Sequence, residues 1–172
     1  MALPSAAVAM IRCRKPHPSI LLIERSQNPL DPWSGHLAFP GGGREAPDLD
    51  LLDTAIRECE EEIGLRLRRA DCCGIRPHAV AGHYSGREVR VAPFLFELEE
   101  RPDLKLNPEE VHAVIWLEEA SFMDAKSHGK SRFHSKFPEV EFSYFLLKGK
   151  KLWGFTYEQL VLFFISIKKI SK

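Results

Sequence analysis

Residues 39–65 open with Phe39-Pro40-Gly41-Gly42-Gly43 and close with Arg57-Glu58-Cys59-Glu60-Glu61-Glu62-Ile63-Gly64-Leu65. Between them Leu52, Ile56, Cys59 and Ile63 recur at three- and four-residue steps, which predicts a helix over Leu51–Ile63 with one apolar stripe for a core. Gly64 is its stop signal. On that helix Glu58, Glu61 and Glu62 stand at i, i+3 and i+4, so their carboxylates are expected to share one face, away from the apolar stripe. Like charges so placed destabilise a helix by about 0.2–0.5 kcal/mol per pair, and Glu60 adds a fourth negative charge. Arg57 can pair with Glu61, but one guanidinium does not neutralise the group. Hard oxygen donors in this pattern suit Mg2+ or Mn2+, which bind through a few carboxylates and take substrate phosphates as further ligands. The glycine turn supplies a backbone carbonyl able to approach such an ion and, at Gly42, bare backbone against which a diphosphate can lie.

Outward from this stretch, short apolar runs over residues 6–13 and 19–23 flank Lys15-Pro16-His17-Pro18 and read as two strands joined by a turn. Further strands are expected over residues 74–80, 88–98, 111–117, 141–147 and 150–153, and a closing helix over residues 155–167. Strands and helices mix with few regular β-α-β units, so the expected class is α/β, a mixed sheet packed between helices. Residues 126–136 crowd six basic or histidine side chains together without apolar periodicity and read as a solvated loop, which could also meet extra phosphates of a bulky substrate.

The 172 residues suit one domain, 1–172, and 44% hydrophobic with 28% charged residues is the make-up of a soluble globular chain. With 24 basic and 24 acidic residues the net charge is zero, so no nucleic acid or membrane partner is expected. The four cysteines form no C-x-x-C pair and are read as reduced and mostly buried, without a zinc site. In the apolar opening stretch the basic residues follow the apolar run instead of preceding it, opposite to a signal peptide, and the expected location is cytoplasmic.

The segment from Arg57 to Leu65 resembles the distal half of the Nudix box, G-x5-E-x7-R-E-U-x-E-E-x-G-U with U aliphatic, and Gly43 stands at its first glycine. The first glutamate of the box falls on Leu49, and Asp48 stands one residue earlier, as in the coenzyme A pyrophosphatase-like branch after Phe-Pro-Gly-Gly. Leu21 to Ser26, Gly35 to Gly42, Asn107 to Val111 and Leu152 to Thr156 are also similar to that branch, although His36 replaces its usual Gln and the upstream spacing is one residue longer. The resemblance implies a Nudix-type α/β/α sandwich and Mg2+- or Mn2+-dependent hydrolysis of a diphosphate bond in a nucleoside diphosphate-linked small molecule. Coenzyme A or its acyl esters head the substrates; ADP-ribose, nucleoside diphosphate sugars or other nucleotides, and a non-catalytic nucleotide-binding module, are the alternatives.

Carried over by position, Gly41, Glu58, Glu61 and Glu62 would hold metal, and Arg57 would orient the glutamates. The proton of the attacking water would go to Glu58 as first choice or to Glu110 as second. Arg25 and Arg44 flank the expected diphosphate position and offer guanidinium forks, while His36 and Gly42 lie beside it. Trp33 and Trp153 could stack a base or belong to the core. Relatives form dimers, so a homodimer is a further expectation.

Overall fold

The computed structural model describes residues 3–31, 33–83 and 86–170. Among the described residues eleven strands run in chain order as β1 (Ala6–Lys15), β2 (Ser19–Arg25), β3 (Leu37–Ala38), β4 (Gly41–Gly43), β5 (Cys72–Ile75), β6 (Ala79–Ala81), β7 (Val89–Glu100), β8 (Val111–Glu118), β9 (His128–Ser131), β10 (Phe142–Leu147) and β11 (Lys150–Trp153). The α-helices are α1 (Leu51–Ile63), α2 (Glu119–Phe122) and α3 (Gly154–Ile170). Among the described residues, eight strands make one sheet of central order β3-β2-β1-β7-β5, with β4 added to β1, β6 to β7 and β8 to β2. The long β1–β7 pair is parallel and its neighbours are antiparallel, so the sheet is mixed. Strands β9, β10 and β11 form a second, antiparallel sheet.

Alternation along the central strands explains the layers. Ala7, Ala9 and Ile11 on β1, with Leu21 and Ile23 on β2, pack with Ala55, Cys59 and Ile63 of α1. Met10, Ile20 and Leu22 point the opposite way and pack with Leu160, Phe163 and Phe164 of α3 and with Phe145 and Leu152 of the second sheet. A strand covered on both faces must be apolar throughout, hence the unbroken runs over residues 6–13 and 19–23. The expected α/β/α sandwich is therefore present. No helix among the described residues is long and apolar enough to cross a membrane.

Helix α1 has the expected bounds for local reasons. Asp50 caps it by accepting from the N–H groups of Leu52 and Asp53, and Gly64 ends it at φ 67° in the left-handed region. Its stripe differs from the one read in the sequence. Ala55, Cys59 and Ile63 are buried, Leu52 and Ile56 lie at the margin, and Glu58 and Glu62 are buried beside them instead of facing away. The run 74–80 divides into β5 and β6, which register separately along β7.

Residues 126–136 are not one solvated loop. A 3-10 turn over Ala125–Ser127 leads into β9, which pairs with β10, and His128 bonds the Phe122 carbonyl and the Tyr157 hydroxyl. Of the four free cysteines only Cys13 and Cys59 are buried, and Cys73 is exposed. Residues 1–2 and 171–172, the ends of the expected domain, lie outside the described residues.

Candidate active site

Arg57 is the hub that connects the glycine bend to α1. Its Nε donates to Asp48 Oδ1 at 3.0 Å, while Nη2 donates to Asp48 Oδ2 at 3.2 Å and to the Gly43 carbonyl at 3.0 Å. Nη1 faces Glu58 Oε1 at 3.0 Å and Glu61 Oε2 at 2.7 Å. Asp48 is itself fixed, because its Oδ2 also accepts from the Glu45 N–H and the Thr54 hydroxyl, each at 2.9 Å. The guanidinium holds the Asp48 carboxyl down at about 2, below the ordinary carboxylate range. Leu49, where the box has its first glutamate, is 82% exposed, and Asp48 does the anchoring.

Glu58 and Glu62 converge with Glu110, one carboxylate oxygen of each lying within 4.8 Å of the others. Glu110 comes from a distant loop tied to the end of α1, where Lys105 N–H donates to the Ile63 carbonyl and Asn107 N–H to the Glu62 carbonyl, both at 2.9 Å. The Asn107 side chain then donates to Glu110 Oε1 at 3.0 Å. Backbone groups left over at a helix end are thus the means by which a third carboxylate is aimed at the first two. Glu61 stands apart from the three, half-exposed and held by Arg57.

Glu62 is 1% exposed. Burial pushes its carboxyl up to about 8, and the neighbouring Glu58 and Glu110 add to the rise against the opposing Gly41 N–H, which donates to Glu62 Oε2 at 3.0 Å, and Arg25. Glu58 is also raised, first by burial. Arg25 reaches Glu62 Oε1 only at 3.8 Å. Two buried carboxylates and a third beside them therefore have less positive charge nearby than they need, and an all-oxygen donor set of this kind fits a hard divalent cation. The glycine bend presses on them directly. A Cβ at Gly42 would collide with the Glu58 carboxylate, and Gly41 has φ 153°, with the Ala7 carbonyl where a side chain would go.

The bend forms one wall of a cleft of about 1360 Å3. Arg25 lines it, its Nε and Nη2 gripped by Asp31 Oδ2 at 2.8 Å. His36 also lines it, edge-on to Trp153 with ring centres 5.3 Å apart, and burial lowers its pKa, which favours the neutral ring. Trp153 meets His134, Phe133 and Phe142 as well, so it is a packed wall and not an open stacking surface; Trp33 lines the cleft too. Arg44 turns elsewhere, donating to the carbonyls of Asp48 and Leu49 at 3.1 and 3.0 Å. Asp48, Asp31 and Asn107 are the positioning groups that the sequence did not single out for a site. Asp48, nine residues before Arg57, had the only local signal.

A NUDIX domain model matches residues 3–138. The chain belongs to the Nudix family. The mitochondrial coenzyme A diphosphatase NUDT8 of Mus musculus is 28% identical over 145 residues, covering 81% of this Nudix chain and 66% of that protein. Among solved structures, a MutT/nudix family protein from Enterococcus faecalis superposes with TM-score 0.63 at 17% identity, covering 99% of this chain and 63% of that one. A bifunctional NMN adenylyltransferase/ADP ribose pyrophosphatase from Francisella tularensis, complexed with AMP and Mn ion, gives TM-score 0.60 at 16% identity, over 96% of this chain and 42% of that one. These two likenesses concern the Nudix fold. The chain spans 31% to 66% of the length of the curated relatives it matches.

Proposed function

We propose that the protein is a divalent-metal-dependent pyrophosphohydrolase that cleaves the diphosphate of a nucleoside diphosphate-linked small molecule. The observation that carries this reading is the convergence of Glu58, Glu62 and Glu110 beneath the bare Gly41–Gly43 bend, at the wall of a cleft lined by Arg25. Glu58 and Glu62 are the principal holders of Mg2+ or Mn2+; Glu61 and the Gly41 carbonyl complete the proposed set. The ion supplies Lewis-acid stabilisation of the charge that builds on the phosphoryl oxygens.

The chain's own groups do the rest. Arg57, clamped by Asp48, fixes Glu58 and Glu61 relative to the bend. Arg25, clamped by Asp31, offers the diphosphate its remaining guanidinium edge. Water attacks one phosphorus, the bridging P–O bond breaks, two phosphomonoesters leave, and the proton passes to Glu58, with Glu110 the second candidate. A cleft of about 1360 Å3 exceeds the roughly 300–1,000 Å3 of ordinary ligand pockets and accommodates a long substrate.

Coenzyme A or an acyl ester, split to 3',5'-ADP and 4'-phosphopantetheine or its acylated form, is the substrate we favour. It accords with that size and with the name of the Mus musculus relative. Four free cysteines suit a reducing compartment, and we place the protein in the cytoplasm.

The test is a Mg2+-dependent hydrolysis panel of coenzyme A, acyl esters, ADP-ribose and nucleoside diphosphate sugars. Turnover of coenzyme A or its esters, lowered about 10²–10⁴-fold in kcat by Glu58→Gln, is the expected result. Turnover of another substrate alone would replace the substrate assignment. A wild type that binds nucleotide and hydrolyses nothing would make the protein a sensor.

A further inference from the structure

The two long helices begin differently. Asp50 caps α1 by accepting from the N–H groups of Leu52 and Asp53, whereas α3 follows Trp153, whose side chain has no oxygen to offer, and has no acidic residue in its first turn. Among the described residues no carbonyl or carboxylate accepts from the N–H groups of Phe155 or Thr156. Those donors, at the positive end of a 17-residue helix, stand open. Gly154, Phe155 and Thr156 all line the cleft, next to Trp153 where it meets His36. Gly154 has φ 61°, and a Cβ there would meet nothing within 4 Å, so a ligand can come up against the backbone itself.

Thr156 is an independent sign of a ligand. It is 6% exposed, yet its hydroxyl has no hydrogen-bond partner among the described residues and is not one of the side-chain atoms sealed from solvent. A hydroxyl in that state is costly unless something fills its bonding capacity, and Thr156 is open to the cleft. Of the carboxylates that line the cleft, Glu158 lies about 200° round the helix from Thr156. Glu141 is exposed just ahead of β10, and Asp31 is committed to Arg25.

We propose that the N-terminus of α3, with the Thr156 hydroxyl, binds a phosphomonoester of the substrate, separate from the diphosphate at the glycine bend. The inference rests on the hydrolase reading above and deepens it. Substrates whose nucleoside carries a further phosphate, as that of coenzyme A does, are selected over ADP-ribose and nucleoside diphosphate sugars. Backbone N–H groups at a helix start favour an anion over a neutral acceptor, and the hydroxyl adds a donor to a phosphate oxygen. The Arg25 N–H donates to the His36 carbonyl at 3.0 Å, and the His36 ring meets Trp153, so the two anion positions share one wall of the cleft.

Calorimetric binding of 3',5'-ADP and of 5'-AMP in EDTA, where no ion bridges ligand and protein, tests this directly. 3',5'-ADP is expected to bind about tenfold or more tightly than AMP. Thr156→Val keeps the shape of the side chain and removes the hydroxyl; it should lower that ratio at least about threefold, and Thr156→Ser should restore it. Thermal melts show that each variant is folded. Equal affinity for the two nucleotides in the wild type, or a ratio that Thr156→Val leaves intact, overturns the proposal. A ratio lost in Thr156→Val and regained in Thr156→Ser supports it, even if the wild type with Mg2+ hydrolyses nothing; in that case only the hydrolase reading falls. Hydrolysis of coenzyme A and its 3'-dephospho form with equal KM leaves the hydrolase and sinks the site.

Discussion

Glu62 carries a pH dependence that follows from its burial. Its folded pKa of about 8 lies above the ordinary 4.5, so the protonated form is favoured by folding. Its contribution to stability is fully present below about pH 4.5 and is lost as pH rises through about 8. In EDTA the melting temperature should therefore fall between pH 5 and 9, and Glu62→Gln should remove most of that fall. Ion binding needs the carboxylate ionised, so the stabilisation by Mg2+ should grow over the same window. A Mg2+ shift that shrank with rising pH would count against a metal at this cluster. Asp48 behaves with the opposite sign: its contribution is present above about pH 3.8 and lost as pH falls through about 2. The Asp48 side chain is 4% exposed and Arg57 19%, so Asp48→Ala strands a largely buried guanidinium. We expect a loss of about 3–5 kcal/mol in urea denaturation, with kcat falling because Glu58 and Glu61 lose their anchor. Arg57 and the glutamates were legible in the sequence because they share one helix. The partner of Arg57 was not, since Leu49 occupies the family's place for it and only the folded loop shows that Asp48 turns inward.

Helix α1 is an element whose ends are set locally, and its C-terminus is also a joint in the site. Gly64 has φ 67°, and a Cβ there would lie 2.9 Å from both the side chain and the carbonyl of Lys105. Gly64→Ala should destabilise the protein by more than the roughly 1 kcal/mol of an ordinary glycine replacement. It should also weaken Mg2+ binding, because the displaced segment, residues 105–110, is the one that carries Glu110. Thermal melts with and without Mg2+ separate the two effects; an unchanged Mg2+ shift would show that Glu110 is not needed to hold the ion. The strand over residues 128–131 was missed for a related reason. The run 126–136 has polar composition throughout, and its strand exists only because β10 offers an edge to pair with.

At the scale of the whole molecule, one core region joins α3, the central sheet and the second sheet. Leu160, fully buried there, should cost about 2–5 kcal/mol as Leu160→Ala. Because α3 forms a wall of the cleft, that variant should also raise KM for the substrate that the hydrolysis panel identifies. The sequence by itself determined the layered class, the span of α1 and the acidic, glycine-bounded character of the site, because periodicity, caps and stop signals are local properties of the chain. Tertiary structure alone decided that Glu58 and Glu62 are buried, that Glu110 joins them from 48 residues beyond Glu62, and that the glycine bend walls a cleft lined by Arg25. Burial and convergence depend on which distant segments pack together, and no local period encodes that choice.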